Sequence, residues 1–381
     1  MMPAHLYIHV PFCDGKCHYC GFFSVVAAPS VIDLYSMLPA REYDCRRALL
    51  PEIDNGPLST LYMGGGTPAM LGCEGLKRLA DALAARLPLG TVEEWTVELN
   101  PASASDSILK ALAAIGVNRI SIGVQSFDDA TLARMGRRHD AQAACAAVKR
   151  AQDAGFENTG IDLIAGLPGV SPALWQETLE RAMSLSLKHL SIYALTLEPG
   201  TPLAVQVAAG LELPDDEAQL AALTQAEGAL AQTGFTRYEI SNYALPGFEC
   251  RHNLAVWRGH DYLGLGPAAA SRIGRSRWTN SEDLEEYINA LSRDSVPPGE
   301  RDTLGAAEDA AERALFALRL HEGVDPAADA LRFPALGPQA ELWERRLDEL
   351  AAQGITERGG RRWRLTARGR EVCDAVLREL V

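Results

Sequence analysis

Short β-branched and aromatic runs alternate with longer amphipathic stretches over the first two hundred residues. The runs HLYIHV (5–10), TLYMGG (60–65), WTVELN (95–100), RISIGV (119–124), TGIDLI (159–164) and HLSIYAL (189–195) have strand character. Between them LKRLADALAARL (76–87) and AQAACAAVKRAQDAG (141–155) carry apolar residues at helical spacing. The second ends on Gly155, where a helix C-terminal cap is expected. Strands separated by helices predict right-handed βαβ crossovers and a parallel sheet. Six such units are too few for a closed eight-stranded barrel, so the expected fold is α/β, a partial, open (βα)6 barrel over residues 1–210.

The pattern changes after about residue 211. A helix around 215–233 leads into TRYEISNYA and then FECRHNLAVWRGHDYLGLGPAAAS (248–271), a connecting region over 211–300. Residues 301–381 read as a smaller α+β module. Helical stretches at 308–321 and 339–353 precede two short strands around a Gly-Gly turn and a last helix, the order of a winged helix. No solenoid-type repeat interrupts the chain.

Composition narrows the setting. The 381 residues are 47 % hydrophobic and 23 % charged, an ordinary globular balance. No run approaches the roughly 18–20 apolar residues that span a bilayer, and MMPAHLYIHVPFC lacks the features of a signal peptide. A cytoplasmic protein that does not span a membrane is expected. The net charge of −14 argues against nonspecific nucleic-acid binding, which needs surplus Lys and Arg. The basic stretch Arg358 to Arg370 is the local exception. Winged helices often bind DNA, but they also serve as packing modules, and Arg361-Arg362-Trp363-Arg364 reads as a solvated strand edge.

Three of the eight cysteines fall within eight residues, in Cys13-Asp14-Gly15-Lys16-Cys17-His18-Tyr19-Cys20 directly after the first strand. Thiolates are the usual ligands of iron–sulfur clusters. A [4Fe–4S] cubane held by Cys13, Cys17 and Cys20 leaves one iron open to an amine and a carboxylate. Zinc is the competing occupant, but it needs a fourth ligand, and His18 is poorly placed to share the metal of its neighbours.

YIHVPFCDGKCHYC resembles the radical S-adenosylmethionine superfamily, in the branch of the oxygen-independent coproporphyrinogen III oxidases and the HemW-type heme chaperones. The resemblance runs through GGGTPAML (64–71), VELNP (97–101), GVQSF (123–127), RMGRRH (134–139), IDLIAGLPG (161–169), ISNYA (240–244) and CRHNLAVW (250–257). It implies a [4Fe–4S] cluster with S-adenosylmethionine bound against it. The loop Gly64-Gly65-Gly66-Thr67 would contact the methionyl amino group, its glycines permitting close approach and exposing N–H groups. Glu98, Gln125, Arg137 and Asp162, at or beyond separate strand ends, would contact the same cofactor. Tyr7 and Tyr19 resemble aromatic contacts of the methionyl end and the adenine. Taken singly, each is equally a core or packing residue.

Departures separate the two branches. The oxidase pattern has a fourth cysteine two places after the third, where this chain has Phe22, and a longer leader than the twelve residues before Cys13. Both favour the chaperone branch, whose H-N-x-x-[YF]-W signature is approached by His252 to Trp257 with Val256 in the aromatic place. His252 is the candidate axial heme ligand; the alternative is a histidine that fixes a loop. Cys250 is a second possible iron ligand, or a buried structural thiol. Leu265-Gly266-Pro267-Ala268-Ala269-Ala270-Ser271 lacks the histidine that relatives tend to have before the Ser. Two functions follow. One is a heme chaperone in porphyrin metabolism that delivers heme to a heme-requiring apoprotein, with a possible homodimer. The other is an enzyme, an oxidase that cleaves S-adenosylmethionine to a 5′-deoxyadenosyl radical and attacks coproporphyrinogen. The electron donor is not readable from the chain.

Overall fold

The computed structural model describes residues 4–50 and 57–380. Six parallel strands form the centre: β1 (His5–Val10), β2 (Thr60–Gly65), β3 (Glu94–Leu99), β4 (Arg119–Gln125), β5 (Asn158–Ala165) and β6 (His189–Ala194). They follow chain order across the sheet, as right-handed crossovers require. Their runs are buried at nearly every position, because helices cover the outer face and side chains fill the inner one. The predicted strands stand within one or two residues of their places. Asn100 falls just past β3 rather than inside it.

The sheet is wider than six strands. Short β8 (Asn242–Ala244) adds antiparallel to β6, β7 (Thr236–Arg237) adds antiparallel to β8, and β9 (Leu263–Leu265) adds parallel to β1, so nine strands run β7-β8-β6-β5-β4-β3-β2-β1-β9. The stretch after residue 211 thus supplies both edges of the partial barrel. A three-stranded sheet follows, β10 (Ala270–Ile273), β11 (Ser276–Asn280) and β12 (Gly299–Thr303).

Local signals set the helix ends. Ser105 and Asp140 accept from Ile108 N and Ala143 N at the starts of Asp106–Ile115 and Ala141–Asp153. Gly155, at φ +93, closes the second of these. A separate apolar core around Trp343, Leu347, Trp363 and Val376 holds the C-terminal module, with its hairpin β13 (Thr356–Gly359) and β14 (Arg362–Leu365). The arginines of the hairpin bond within the chain: Arg361 with Asp325, Arg362 with Gly323 O and Arg364 with Glu357. Among the described residues no helix is long and apolar enough to cross a membrane.

Candidate functional site

The cysteine loop leaves the C-terminal end of β1 and is closed at its base. Cys13 N donates to Val25 O (3.1 Å) and Val25 N to Pro11 O (2.8 Å). Its far side docks on residues 134–136, where His18 N donates to Met135 O (3.0 Å) and His18 Nδ1 bonds Arg134 O (2.7 Å). His18 is therefore a fastening of the loop. A Cβ on Gly136 would lie 2.8 Å from the His18 ring.

The three thiols stand near one another at the mouth of the barrel. Burial pushes the Cys20 thiol up, and nearby Cys17 and Cys13 push it the same way. Among the described residues no three His, Cys, Asp or Glu side chains are grouped to hold a single metal ion. A cubane instead takes its thiolates at separate corners, and the soft, all-sulfur donor set suits it.

A chain of hydrogen bonds joins two of these sulfurs. Arg137 Nη1 donates to Cys17 Sγ (3.4 Å) and Nη2 to Asn100 Oδ1 (2.9 Å) and to Gly123 O. Asn100 Nδ2 donates to Thr67 Oγ1 (2.8 Å), which in turn bonds Cys13 Sγ (3.6 Å). Arg137 Nε is buried without a protein partner. These groups border a cavity of about 370 Å³ lined also by Gly66, Met70 and His139. Sequence reading missed Asn100. The signal was available, since it follows Glu98 by two positions, the spacing that returns a side chain to the same face of a strand.

The glycine loop presses on the same place. A Cβ on Gly66 would stand 2.7 Å from both Val10 O and Phe12 O. The expectation of exposed amides is corrected here: Gly65 N donates to Glu98 Oε2 (3.3 Å), Gly66 N to Val10 O (2.9 Å) and Thr67 N to Phe12 O (2.7 Å). Glu98 and the backbone at the end of β1 take those donors, so close approach, not amide donation, is what the glycines provide.

Behind the loop lies a buried polar relay. His9 Nε2 donates to Phe23 O (2.9 Å), which leaves Nδ1 to accept from Tyr7 Oη (3.1 Å). Tyr62 Oη donates to Glu98 Oε1 (2.7 Å). Burial pushes the Glu98 carboxyl up to about 7 against the Tyr62 bond, with neighbouring Asp162 adding to the rise. Asp162 is raised for the same main reason, although Ser121 Oγ donates to it (3.1 Å). Gln125 sits at φ +68 in a β4 bulge, its amide folded beside Gly123. A left-handed non-glycine residue costs about 1–3 kcal/mol, a cost that concentrates at functional sites. Tyr19 packs against Met135, Ile164 and Leu167, beside Arg137.

The Glu98 shift has a measurable sign. Its folded value of about 7 exceeds the ordinary 4.5, so the native state keeps a proton that the unfolded chain releases between those pH values. The stability contributed is full below about pH 4.5 and is lost as pH rises through 7, on the order of 3 kcal/mol in all. In urea unfolding at pH 5 and pH 8, Glu98→Gln is expected to lose less stability across that interval than wild type. An equal pH dependence in both would dismiss the assignment.

His252 is not brought to this mouth. It lies near the N-terminal ends of β1 and β2, with Nδ1 on Thr60 Oγ1 (2.8 Å), its backbone N–H on Glu94 and its ring 5.3 Å from that of Tyr62. Only 6 % of it is exposed, and burial lowers its pKa to about 3, so the imidazole is neutral. Cys250 is fully buried, with Sγ 3.5 Å from Glu94 Oε1. Trp257 packs edge-on against Phe316 under Arg319.

Residues 7–182 match the model of the radical SAM superfamily. The chain is 35 % identical to the heme chaperone HemW of Mycobacterium tuberculosis, over all of this chain and 95 % of that protein. It is 38 % identical to HemW of Lactococcus lactis over 76 % of this chain and 74 % of that one, and 34 % identical to HemW of Escherichia coli over 98 % and 97 %. Among solved structures it is similar to coproporphyrinogen III oxidase (HemN) of Escherichia coli, described as a radical SAM enzyme. The TM-score is 0.83 and the identity 25 %, over all of this chain and 90 % of that one.

Proposed function

Since the chain belongs to the HemW family of the radical SAM superfamily, we propose that it is a heme chaperone. In this reading it binds a [4Fe–4S] cluster, S-adenosylmethionine and heme, and passes heme to an apoprotein. The likeness to a heme chaperone along the whole chain carries the proposal. When bound, the cluster supplies an open iron that can chelate an amino acid and a site for one-electron chemistry.

The residues divide the work. Cys13, Cys17 and Cys20 hold the cluster. Arg137 and Thr67 donate toward two of its sulfurs, which tunes potential and fixes orientation. The methionyl ammonium needs acceptors, so the carbonyls of Gly65 and Gly66 and the Glu98 carboxylate suit it. Tyr7, Tyr19, Gln125 and Asp162 bound the rest of the S-adenosylmethionine pocket. His252 keeps its role as candidate iron ligand through Nε2, and its enclosure means that the helix Arg251–Trp257 must shift for heme to reach it.

The similarity to coproporphyrinogen III oxidase favours a second reading, an oxidase. Phe22, in the place of that pattern's fourth cysteine, is 68 % exposed beside the cysteine loop and offers no ligand. The two readings part in one experiment. Reconstituted protein is titrated with heme, then incubated anaerobically with dithionite, S-adenosylmethionine and coproporphyrinogen III. A saturable Soret band near one heme per chain, without porphyrinogen-dependent 5′-deoxyadenosine, is expected. Decarboxylated porphyrinogen would instead establish the oxidase.

A further inference from the structure

Three histidines meet at the N-terminal end of the barrel strands, away from the cysteine mouth. His5 opens β1, His252 lies in the helix Arg251–Trp257, and His260 stands between that helix and β9. Thr60, the first residue of β2 and the register partner of His5, sits between the first two rings. Its Oγ1 is 2.9 Å from His5 Nδ1 and 2.8 Å from His252 Nδ1, and His5 Nε2 is 3.3 Å from His260 Nδ1. His5, Thr60 and His252 are buried, whereas His260 is exposed. Burial lowers the pKa of all three imidazoles, which leaves the relay neutral near pH 7.

A neutral relay has only two proton orders. A hydroxyl has one proton, so Thr60 donates to one ring and accepts from the other, and each imidazole has one N–H. In the first order His252 Nδ1–H donates to Thr60, Thr60 donates to His5 Nδ1, and His5 Nε2–H donates to His260 Nδ1. That leaves a lone pair on His252 Nε2 and an N–H on His260 Nε2. The second order reverses every bond and puts an N–H on His252 Nε2. Two observations select the first. His252 Nε2 has no hydrogen-bond partner among the described residues, and a buried N–H without an acceptor is tolerated less well than a bare lone pair. His260 is exposed, so water accepts from the N–H at the outer end of the relay.

We infer that Thr60, His5 and His260 are positioning residues that fix the tautomer of His252, so that its Nε2 presents a lone pair to heme iron. The inference rests on the chaperone reading, in which His252 is the iron ligand. A histidine ligand whose other ring nitrogen donates a hydrogen bond is held in orientation and made more basic. The shift of the helix Arg251–Trp257 that admits heme then clears the Nε2 side of the ring, while the Nδ1 side stays on Thr60.

Exchange at exposed His260 tests the proton order without disturbing the core. Lys there can only donate to His5 Nε2 and drives every bond into the second order, whereas Gln can still accept. Nitrogen NMR of the full-length, histidine-labelled apoprotein reads the tautomers, with His252→Ala assigning the His252 resonances, and Soret titration with hemin reads affinity. Wild type is expected to show His252 as the Nδ1–H tautomer. His260→Lys should show Nε2–H and bind hemin about tenfold or more weakly, the size of effect that loss of a histidine ligand's supporting bond produces. His260→Gln should recover the Nδ1–H tautomer and most of the affinity. Thr60→Val should weaken hemin by a similar factor and Thr60→Ser restore it. An Nε2–H His252 in wild type, or wild-type affinity in both His260→Lys and Thr60→Val, overturns the relay, and hemin binding lost in His252→Ala would then still support the chaperone reading. Absence of hemin binding by wild type overturns both.

Discussion

Serine at Cys13, Cys17 and Cys20 together is expected to abolish cluster assembly while leaving the chain folded. Each thiol is half-buried in a loop whose shape comes from other bonds: the Pro11–Val25 closure, His18 on Arg134 and Met135, and Leu203 N on His18 O (2.8 Å). Sulfur-to-oxygen exchange therefore removes soft ligands without removing packing. After anaerobic reconstitution, iron and sulfide should fall from about four of each per chain to near zero, with the melting temperature of the metal-free protein within about 3 °C of wild type. Iron retained in the triple variant would place the cluster elsewhere. Zinc recovered from wild type, at one ion per chain, would make the site structural.

Gly65→Ala carries the largest expected loss of stability. Gly65 has φ +97, where a Cβ is strained, and that Cβ would stand 2.4 Å from His9 Cε1. The His9 ring cannot step aside freely, because Phe23 O and Tyr7 Oη hold both nitrogens. Backbone strain of about 1–3 kcal/mol and overpacking of about 1–3 kcal/mol add to roughly 2–6 kcal/mol in denaturant unfolding. The companion Gly65→Ala/His9→Ala separates the two parts: the clash disappears and the strain remains, so the double variant recovers about half of the loss once the cost of His9→Ala alone is subtracted. Additive losses would mean that His9 and Gly65 do not meet.

The barrel was legible because parallel strands buried on both faces leave continuous β-branched runs, and all six predicted runs are strands. β7, β8 and β9 were not, since strands of two or three residues are set by their neighbours' free edges and not by their own pattern. In the site, the cysteines announced themselves by spacing, and the strand-end residues by the family resemblance of their motifs. Asn100 and Tyr62 did not, although they bond Arg137, Thr67 and Glu98. Their importance lies in which partners the parallel register brings opposite, such as Tyr62 against Thr96 and Gly123 against Asp162. The glycine loop shows the same limit: its sequence advertises free amides, while the Glu98 carboxylate and the carbonyls of Val10 and Phe12 consume them. His252 is the sharpest case. The resemblance offers it as an iron ligand, yet it sits within the helix Arg251–Trp257, held by Thr60 and Glu94 near the N-terminal ends of β1 and β2.

The most direct measurement is electron paramagnetic resonance of the reduced, reconstituted protein with and without S-adenosylmethionine. A three-cysteine cubane with an accessible corner gives a [4Fe–4S]⁺ signal whose g-values shift when the methionyl amine and carboxylate reach the open iron, and the shift should weaken in Glu98→Ala. A cluster signal that S-adenosylmethionine leaves unmoved at saturating concentration, or no cluster signal at all, would contradict it.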